Sequence, residues 1–201
     1  MTELLANMGY DSWVLDALLV VPLVGALVVL SRPASESKKV ALVVAILEFL
    51  ISVPLWWAFR SGTAEMQFQH AYPWIPGWGI HYRVGLDGIS LFMVLLTTLT
   101  MPLAVLGGWN YIKDKLRPYY ALLLVLTTGM LGVFVALDLF MFYVFWEIML
   151  IPMYFIIGVW GGPRRLYAAI KFFIYTFVGS LLMLVAILVM VGMFRASGGL
   201  G

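Results

Sequence analysis

The sequence predicts an all-α polytopic membrane protein with about six transmembrane helices, on the basis of its composition and of its long apolar stretches. Of its 201 residues, 64% are hydrophobic and only 11% are charged, and the mean hydropathy is +1.03. A soluble domain carries about 25% charged residues, which solvate its surface. Short alternating segments, the pattern of a membrane β-barrel, do not occur in the sequence. The composition therefore excludes a cytosolic enzyme, a nucleic-acid-binding domain and a disordered chain. It predicts that this chain lies in a lipid bilayer.

Six stretches are long enough to cross the hydrocarbon core, which is roughly 30 Å thick and needs about 20 helical residues. They lie near residues 14–30, 40–59, 89–109, 119–137, 139–160 and 172–194 of a single transmembrane domain, 1–201. Only Asp138 separates the fourth stretch from the fifth, and one helix over both would be about 60 Å long, so we expect a turn with Asp138 as the next helix's cap. Gly129, Gly132 and Ala136 form a small-residue stripe suited to close helix packing.

The second loop, residues 60–85, is unusually rich in aromatic residues and prolines. We expect it to lie in the membrane interface, with aromatic rings at headgroup depth and prolines that stiffen its turns. These residues are Tyr72, Trp74, Trp78, Pro73 and Pro76. Asp87 follows the loop and is the expected N-cap of the third helix.

Lysine and arginine residues predict the orientation of the helices. Eight of the 12 lie in the first, third and fifth loops, whereas three lie on the opposite side and Lys171 begins the sixth stretch. The two groups are Arg32, Lys38, Lys39, Lys113, Lys115, Arg117, Arg164 and Arg165 against Arg60, Arg83 and Arg195. By the positive-inside rule, the odd loops are cytoplasmic, and loop 60–85 and both chain ends are periplasmic, in a bacterial inner (plasma) membrane.

Glu147 is the sharpest functional candidate, because it lies near the middle of the fifth stretch. A charged side chain at that depth costs about 2.5–3.5 kcal/mol on insertion scales, so it should face protein or a wet cavity. Tyr143 and Tyr154 follow the same helical face, and Pro152 loosens the backbone nearby. A carboxyl group placed in this way can bind and release a proton. The alternative is a neutral glutamic acid that only hydrogen-bonds another helix.

Two other ionisable residues lie in or near the apolar stretches. Lys171 lies at the start of the sixth, near a helix end, where a lysine commonly extends to the headgroups, so anchoring and functional interpretations both stay open. A direct ion pair between Lys171 and Glu147 is not expected, because the helical rise leaves a gap of more than about 10 Å. Glu48 lies near the centre of the second stretch among apolar sequence neighbours, and its role stays open.

Several blocks of sequence closely resemble subunit M of bacterial respiratory complex I, the NADH-quinone oxidoreductase. This antiporter-like family is equivalent to mitochondrial chain 4. The resemblance covers most of the chain, and its tryptophan–glutamate and lysine–phenylalanine blocks are the most specific. The blocks are Pro73-Trp74-Ile75-Pro76, Leu86-Asp87-Gly88-Ile89-Ser90-Leu91, Phe145-Trp146-Glu147-Ile148-Met149-Leu150-Ile151-Pro152-Met153-Tyr154, Trp160-Gly161-Gly162 and Ala168-Ala169-Ile170-Lys171-Phe172-Phe173-Ile174-Tyr175-Thr176.

The resemblance implies proton translocation coupled to electron transfer from NADH to quinone. It implies that Glu147 is the proton carrier, and it favours a charge-relay or tuning role for Lys171. It also implies other membrane-arm subunits as partners. With no cysteine and two histidines, the chain offers neither an iron–sulfur ligand set nor a plausible metal site, so we expect FMN, iron–sulfur clusters and quinone to lie in other subunits.

The family has roughly fourteen helices, so the sequence resembles the N-terminal part only. We expect a truncated, split or partly sequenced subunit, whose missing C-terminal helices belong to a separate chain if the subunit is split. Two alternatives to the complex I interpretation are a subunit of an Mrp-type Na⁺/H⁺ antiporter and a truncated scaffold that transports nothing.

Overall fold

The computed structural model describes residues 9–197, which contain six long apolar helices, as the predicted fold class requires. The helices are α1 (Val14–Ser31), α2 (Ala34–Ser52), α3 (Gly88–Gly107), α4 (Leu116–Val135), α5 (Leu139–Trp160) and α6 (Arg165–Ala196). A 3-10 turn, Tyr10–Ser12, precedes α1, and a short helix, Leu55–Ala58, follows α2. The chain is thus a multi-pass membrane protein. The prediction for the two chain ends concerns residues 1–8 and 198–201, which lie outside the described residues.

Two helices begin well before their apolar stretches do. Helix α2 begins at Ala34, in a segment that includes Glu36 and Lys38, and α6 begins at Arg165. These first turns are polar because they extend from the hydrocarbon core towards the headgroups. Hydropathy marks only the part of a helix that lipid surrounds, so it places such helix starts too late.

Helix α4 lies at the centre of the bundle, where it packs against α1, α2, α3 and α5, whereas α6 packs chiefly along α5. Close contact between α4 and α5 depends on two glycines of the predicted small-residue stripe. A Cβ atom on Gly129 would lie 2.5 Å from Met149 Cγ, and one on Gly132 would overlap the Phe145 ring. The prediction was wrong for Ala136, which lies beyond the end of α4 and pairs with Val84 in the loop between α2 and α3.

The loop between α2 and α3 folds as a β-hairpin, which the sequence analysis did not predict. Strands β1 (Gln67–Ile75) and β2 (Ile80–Leu86) pair antiparallel through a 3-10 turn at Pro76–Trp78. Gly79 closes this turn with a φ of +70°, a conformation that glycine adopts without steric cost. Phe68, Val84 and Leu86 bury their side chains in the same apolar cluster as residues of α1, α4 and α5. The hairpin therefore covers one end of the helix bundle.

Hydrogen bonds from two helices hold the hairpin in place. The Tyr82 hydroxyl donates to Asp16 Oδ1 of α1 at 2.5 Å, and burial together with this carboxylate raises the pKa of Tyr82. From the far end of α6, the Arg195 guanidinium donates to the Trp78 carbonyl oxygen at 2.7 Å. The end of α6 and the hairpin turn consequently lie at the same end of the bundle.

The two predicted aspartate caps are confirmed. Asp87 Oδ1 accepts from the Ser90 N–H at 2.6 Å at the start of α3, and this hydrogen bond holds the pKa of Asp87 below its ordinary value. The Asp87 cap is consequently fully effective at neutral pH and is lost as the pH falls through the lowered value. Asp138 Oδ1 accepts from the Phe140 N–H at 2.9 Å at the start of α5. Its Oδ2 also accepts from the His81 N–H of β2 at 3.3 Å, so Asp138 joins α5 to the hairpin.

Replacing Asp138 with alanine should destabilise the folded protein by about 1–2 kcal/mol, because the start of α5 loses its cap. Thermal unfolding of the protein in detergent micelles, followed by tryptophan fluorescence, measures the effect. Asp114→Ala is the matched control, because the exposed Asp114 lies in the loop before α4 and accepts a hydrogen bond through its backbone carbonyl alone among the described residues. Equal unfolding temperatures for Asp138→Ala and the control would contradict the role given to this cap.

Candidate functional site

Glu147 lies near the middle of α5 and carries the most conspicuous polar group on that helix. Its Oε1 atom is buried and has no hydrogen-bond partner among the residues described. The other polar side chains of α5 are tyrosines and tryptophans, and no basic residue lies within Leu139–Trp160. The carboxyl group is therefore set in an apolar helix with no positive charge on its own element.

The neighbours of Glu147 come from one turn of its own helix and from α6. The Tyr143 hydroxyl lies close to both the Glu147 carboxyl group and the Ser180 hydroxyl. Ser180 is only 3% exposed, and its Oγ donates to the Phe177 carbonyl oxygen at 2.9 Å within α6. Glu147, Tyr143 and Ser180 thus form a polar group of three between two apolar helices.

Sequence reasoning identified Glu147 and Tyr143 but missed Ser180, which comes from the next helix. It also grouped Tyr154 with Glu147, and here the structure differs. The Tyr154 ring packs against Phe173 of α6, with ring centroids 5.5 Å apart, two turns away from the carboxyl group. Because Tyr154 and Glu147 share a helical face, the sequence predicted a common site. Their offset of seven residues, however, separates the two side chains by about 10 Å along the helix axis.

The structure does not bring Lys171 and Glu147 together. Helices α5 and α6 run antiparallel, with Tyr154 beside Phe173 and Gly158 beside Ala169. This register sets Lys171 about 13 Å along the helix axis from Glu147, at about 1.5 Å per residue.

Lys171 lies on the outer surface of α6 instead. Its side chain is exposed, and its Nζ lies 5.9 Å from the centroid of the Tyr167 ring. It lines an open groove of about 590 Å³ together with Arg164, Tyr175 and Thr176. A basic group in this position can influence Glu147 only through intervening water or side chains.

Glu48 is more deeply buried than Glu147. It is 0% exposed, and both of its carboxylate oxygens are buried without a partner in the part of the chain that the structure describes. Its apolar sequence neighbours suggested surroundings without polar groups, but that was incomplete. One turn further along α2, the Ser52 hydroxyl lies 2.7 Å from the Thr98 hydroxyl of α3. Such a partner on another helix has no signal in the local sequence.

Metal-ligating side chains do not cluster in the part of the chain that the structure describes. Within residues 9–197, no group of three or more His, Cys, Asp or Glu side chains could hold a metal ion. The sequence has no cysteine to ligate an iron–sulfur cluster.

Comparison with known proteins relates α5 and α6 to a family of membrane proteins. Residues 136–199, which contain Glu147, Ser180 and Lys171, match the model of the NADH:quinone oxidoreductase/Mrp antiporter transmembrane family. Over 170 residues, or 84% of its length, the chain is 48% identical to NADH-quinone oxidoreductase subunit M of Rhodobacter capsulatus. The chain is a relative of subunit M. It spans 32% of the length of that protein.

Two solved structures share this fold. The fold matches a chain of respiratory complex I from Thermus thermophilus with a TM-score of 0.76 and 32% identity, over 92% of this chain and 36% of that one. It also matches a chain of the Mrp complex from Dietzia sp. with a TM-score of 0.71, over 92% of this chain and 20% of that one. At 20% identity, this second match shows the shared fold alone.

Proposed function

We propose that this chain is part of the membrane arm of a proton-translocating NADH-quinone oxidoreductase, and that Glu147 carries the proton. The observation that supports the proposal most strongly is the buried, unpartnered Oε1 of Glu147 in the middle of a membrane-spanning helix. An ionisable residue at such depth is expensive and is by default a functional group. The relation to subunit M gives that group a specific task.

The three polar residues divide the work at the site. Glu147 binds the proton at a carboxylate oxygen and releases it again. The Tyr143 hydroxyl lies beside the carboxyl group and can donate to the ionised form or accept from the protonated one, and the Ser180 hydroxyl lies beside Tyr143. Because the Tyr143 hydroxyl can serve both states of Glu147, it lowers the cost of each protonation change without supplying the proton itself.

Lys171 acts on Glu147 from a distance in this proposal. A positive charge on α6 stabilises the ionised form of a carboxyl group that it reaches through water. Lys171 would then work as a charge relay or would tune proton release, rather than serve as a permanent ion-pair partner.

The outer faces of α6 point to further membrane-arm neighbours. Leu182, Val185, Leu188 and Met193 are each more than half exposed, and α6 packs chiefly on α5. We infer that further helices cover these faces, either on the same polypeptide or on a separate chain that carries the C-terminal helices. The FMN, the iron–sulfur clusters and the quinone belong to other subunits of the complex.

We propose a bacterial inner membrane as the setting, with residues 1–201 as one transmembrane domain. The asymmetric distribution of lysine and arginine supports a cytoplasmic position for the first, third and fifth loops. Loop 60–85 and both ends of the chain would then be periplasmic. The hydrogen bond between Arg195 and Trp78 is consistent with one common side for the hairpin and the end of α6.

Affinity purification of the tagged chain from its native membranes in mild detergent tests membership of the complex. We expect flavin absorbance and the electron paramagnetic resonance signals of iron–sulfur clusters to elute in one particle with the chain. The same tag on an unrelated inner-membrane protein is the control. A particle that contains the chain but neither flavin nor iron–sulfur clusters would contradict the proposal.

The second candidate is a subunit of an Mrp-type Na⁺/H⁺ antiporter, which the family description and the shared fold favour. The purification separates the two candidates, since an antiporter needs no flavin. In the third interpretation, a scaffold without transport, deletion of the chain blocks assembly, whereas Glu147→Gln leaves pumping intact.

A further inference from the structure

Glu48 lies on the buried face of α2 but has no part in the site around Glu147. The face consists of small and polar residues at helical spacing, and Glu48 is the largest of them. Its members are Ser37, Ala41, Ala45, Glu48 and Ser52. The small residues allow α2 to approach α1, α3 and α4 closely, so the carboxyl group is enclosed by the first four helices.

Two contacts fix the level of Glu48 against α3. Near one end of the antiparallel pair, the Lys38 ammonium donates to the Trp109 carbonyl oxygen at 2.6 Å. Towards the other end, the hydroxyls of Ser52 and Thr98 lie 2.7 Å apart. One turn from Ser52, Glu48 is therefore level with the stretch of α3 that follows Thr98, at Met101 and Pro102.

The proline at this level changes the backbone that faces Glu48. Pro102 has no N–H, so it cannot donate to the Thr98 carbonyl oxygen as a helix residue normally would. That carbonyl is an additional acceptor in the region where a protonated carboxyl group needs one. At the level of Glu48, α3 thus has a backbone oxygen that lacks its usual helical donor, and the Ser52–Thr98 hydroxyl pair lies one turn away.

Charged groups on the surrounding helices do not compensate Glu48. Helix α3 has no ionisable side chain, and the one acidic residue of α1, Asp16, is bonded to Tyr82 at the hairpin end. Helix α4 contributes one exposed arginine, Arg117, and two tyrosines at its start. Of these, Tyr120 is fully buried, its hydroxyl also has no partner within the described residues, and it belongs to the apolar cluster that includes Ala45 and Met101.

The charge balance selects the proton as the ligand. Enclosing an ionised carboxylate without a cation is unfavourable, so a bound proton keeps the carboxyl group neutral. A hard metal cation needs several oxygen ligands around it, whereas neither carboxylate oxygen of Glu48 has a polar partner among the described residues.

We propose that Glu48, which lies one helical turn from the Ser52–Thr98 hydroxyl pair, is a second proton-binding site of this chain, enclosed by α1–α4 and separate from Glu147. This inference concerns equilibrium proton binding and stands independently of the proposed electron-transfer complex.

Infrared difference spectra of the complete purified assembly in lipid test the proposal. The sample is titrated from neutral to alkaline pH, where exposed carboxyl groups, with ordinary pKa values of about 4, stay ionised. We expect a titrating carbonyl band of a protonated carboxyl group that shifts in D₂O and is lost in Glu48→Gln. Glu36→Gln is the matched control, because Glu36 is exposed in the first turn of the same helix, and its spectrum should keep the band.

Two further variants keep the test decisive where Glu48→Gln does not assemble. Thr98→Val and Ser52→Ala leave the carboxyl group in place but remove a neighbouring hydroxyl, so the band should shift in frequency. An unchanged band in both variants would overturn the proposal. It is equally overturned by a Glu48 band that persists across the whole titration, which marks a permanently neutral structural group. A band that follows Na⁺ concentration at constant pH would replace the proton with a cation.

Discussion

NADH-driven proton uptake should fall to background when Glu147 is replaced by glutamine in the complete complex. Glutamine keeps the size and hydrogen-bonding capacity of the side chain but cannot bind and release a proton. Electron entry from NADH to an artificial acceptor, which occurs in other subunits under this proposal, should continue. Inverted membrane vesicles with a pH-sensitive dye report the uptake, and absorbance of the acceptor reports electron entry.

Two matched variants define what the loss means. Glu65→Gln removes an exposed glutamate before the hairpin, and it should leave proton uptake unchanged. Tyr143→Phe keeps the carboxyl group but removes the neighbouring hydroxyl, so uptake should slow without stopping. If Glu147→Gln pumps with the proton-to-electron ratio of the unaltered complex, Glu147 is not the proton carrier.

Gly132→Leu should prevent the chain from reaching its folded, assembled state. Even a Cβ atom at this position would overlap the Phe145 ring, so a leucine forces α4 and α5 apart. Inserted bulk in a well-packed interface costs about 1–3 kcal/mol and occasionally more, which is a large part of the stability of a domain. Native gel electrophoresis of solubilised membranes measures the fraction of chain in the assembly.

Gly107→Leu is the control for this substitution. Gly107 ends α3, and a Cβ atom there meets no other atom of the described chain within 4 Å. The control should assemble normally, since the added side chain extends outward. Normal assembly of both variants would mean that α4 and α5 do not pack at Gly132 as closely as the structure indicates.

The sequence predicts the helices better than the connection between α2 and α3. Each spanning helix has a local signal, an apolar stretch of sufficient length, and the caps at Asp87 and Asp138 have one too. The hairpin has a weaker signal because Pro73 and Gly77 interrupt the alternation of a strand with residue types that favour turns. Its stability comes from contacts with α1, α4 and α5, which no local pattern records.

The candidate site also contains residues with a local sequence signal and residues without one. Glu147 can be found from the sequence, because depth in an apolar helix is a property of the chain itself. Ser180 and Thr98 cannot be found in that way, since each reaches a buried carboxyl group or its neighbouring hydroxyl from another helix. Their contribution depends on the register of antiparallel helices, which follows from side-chain packing over the whole contact.

The hairpin also has a mechanical consequence for the site. It is bonded to α1 through Asp16, to the start of α5 through Asp138 and to the far end of α6 through Arg195. A tilt of α6 as a rigid body must either break the contact at Trp78 or pull the hairpin with it. In the second case the moving hairpin pulls on the start of α5 through Asp138. A movement at the edge of the bundle is then transmitted along α5 to the Glu147 carboxyl group near the middle of that helix.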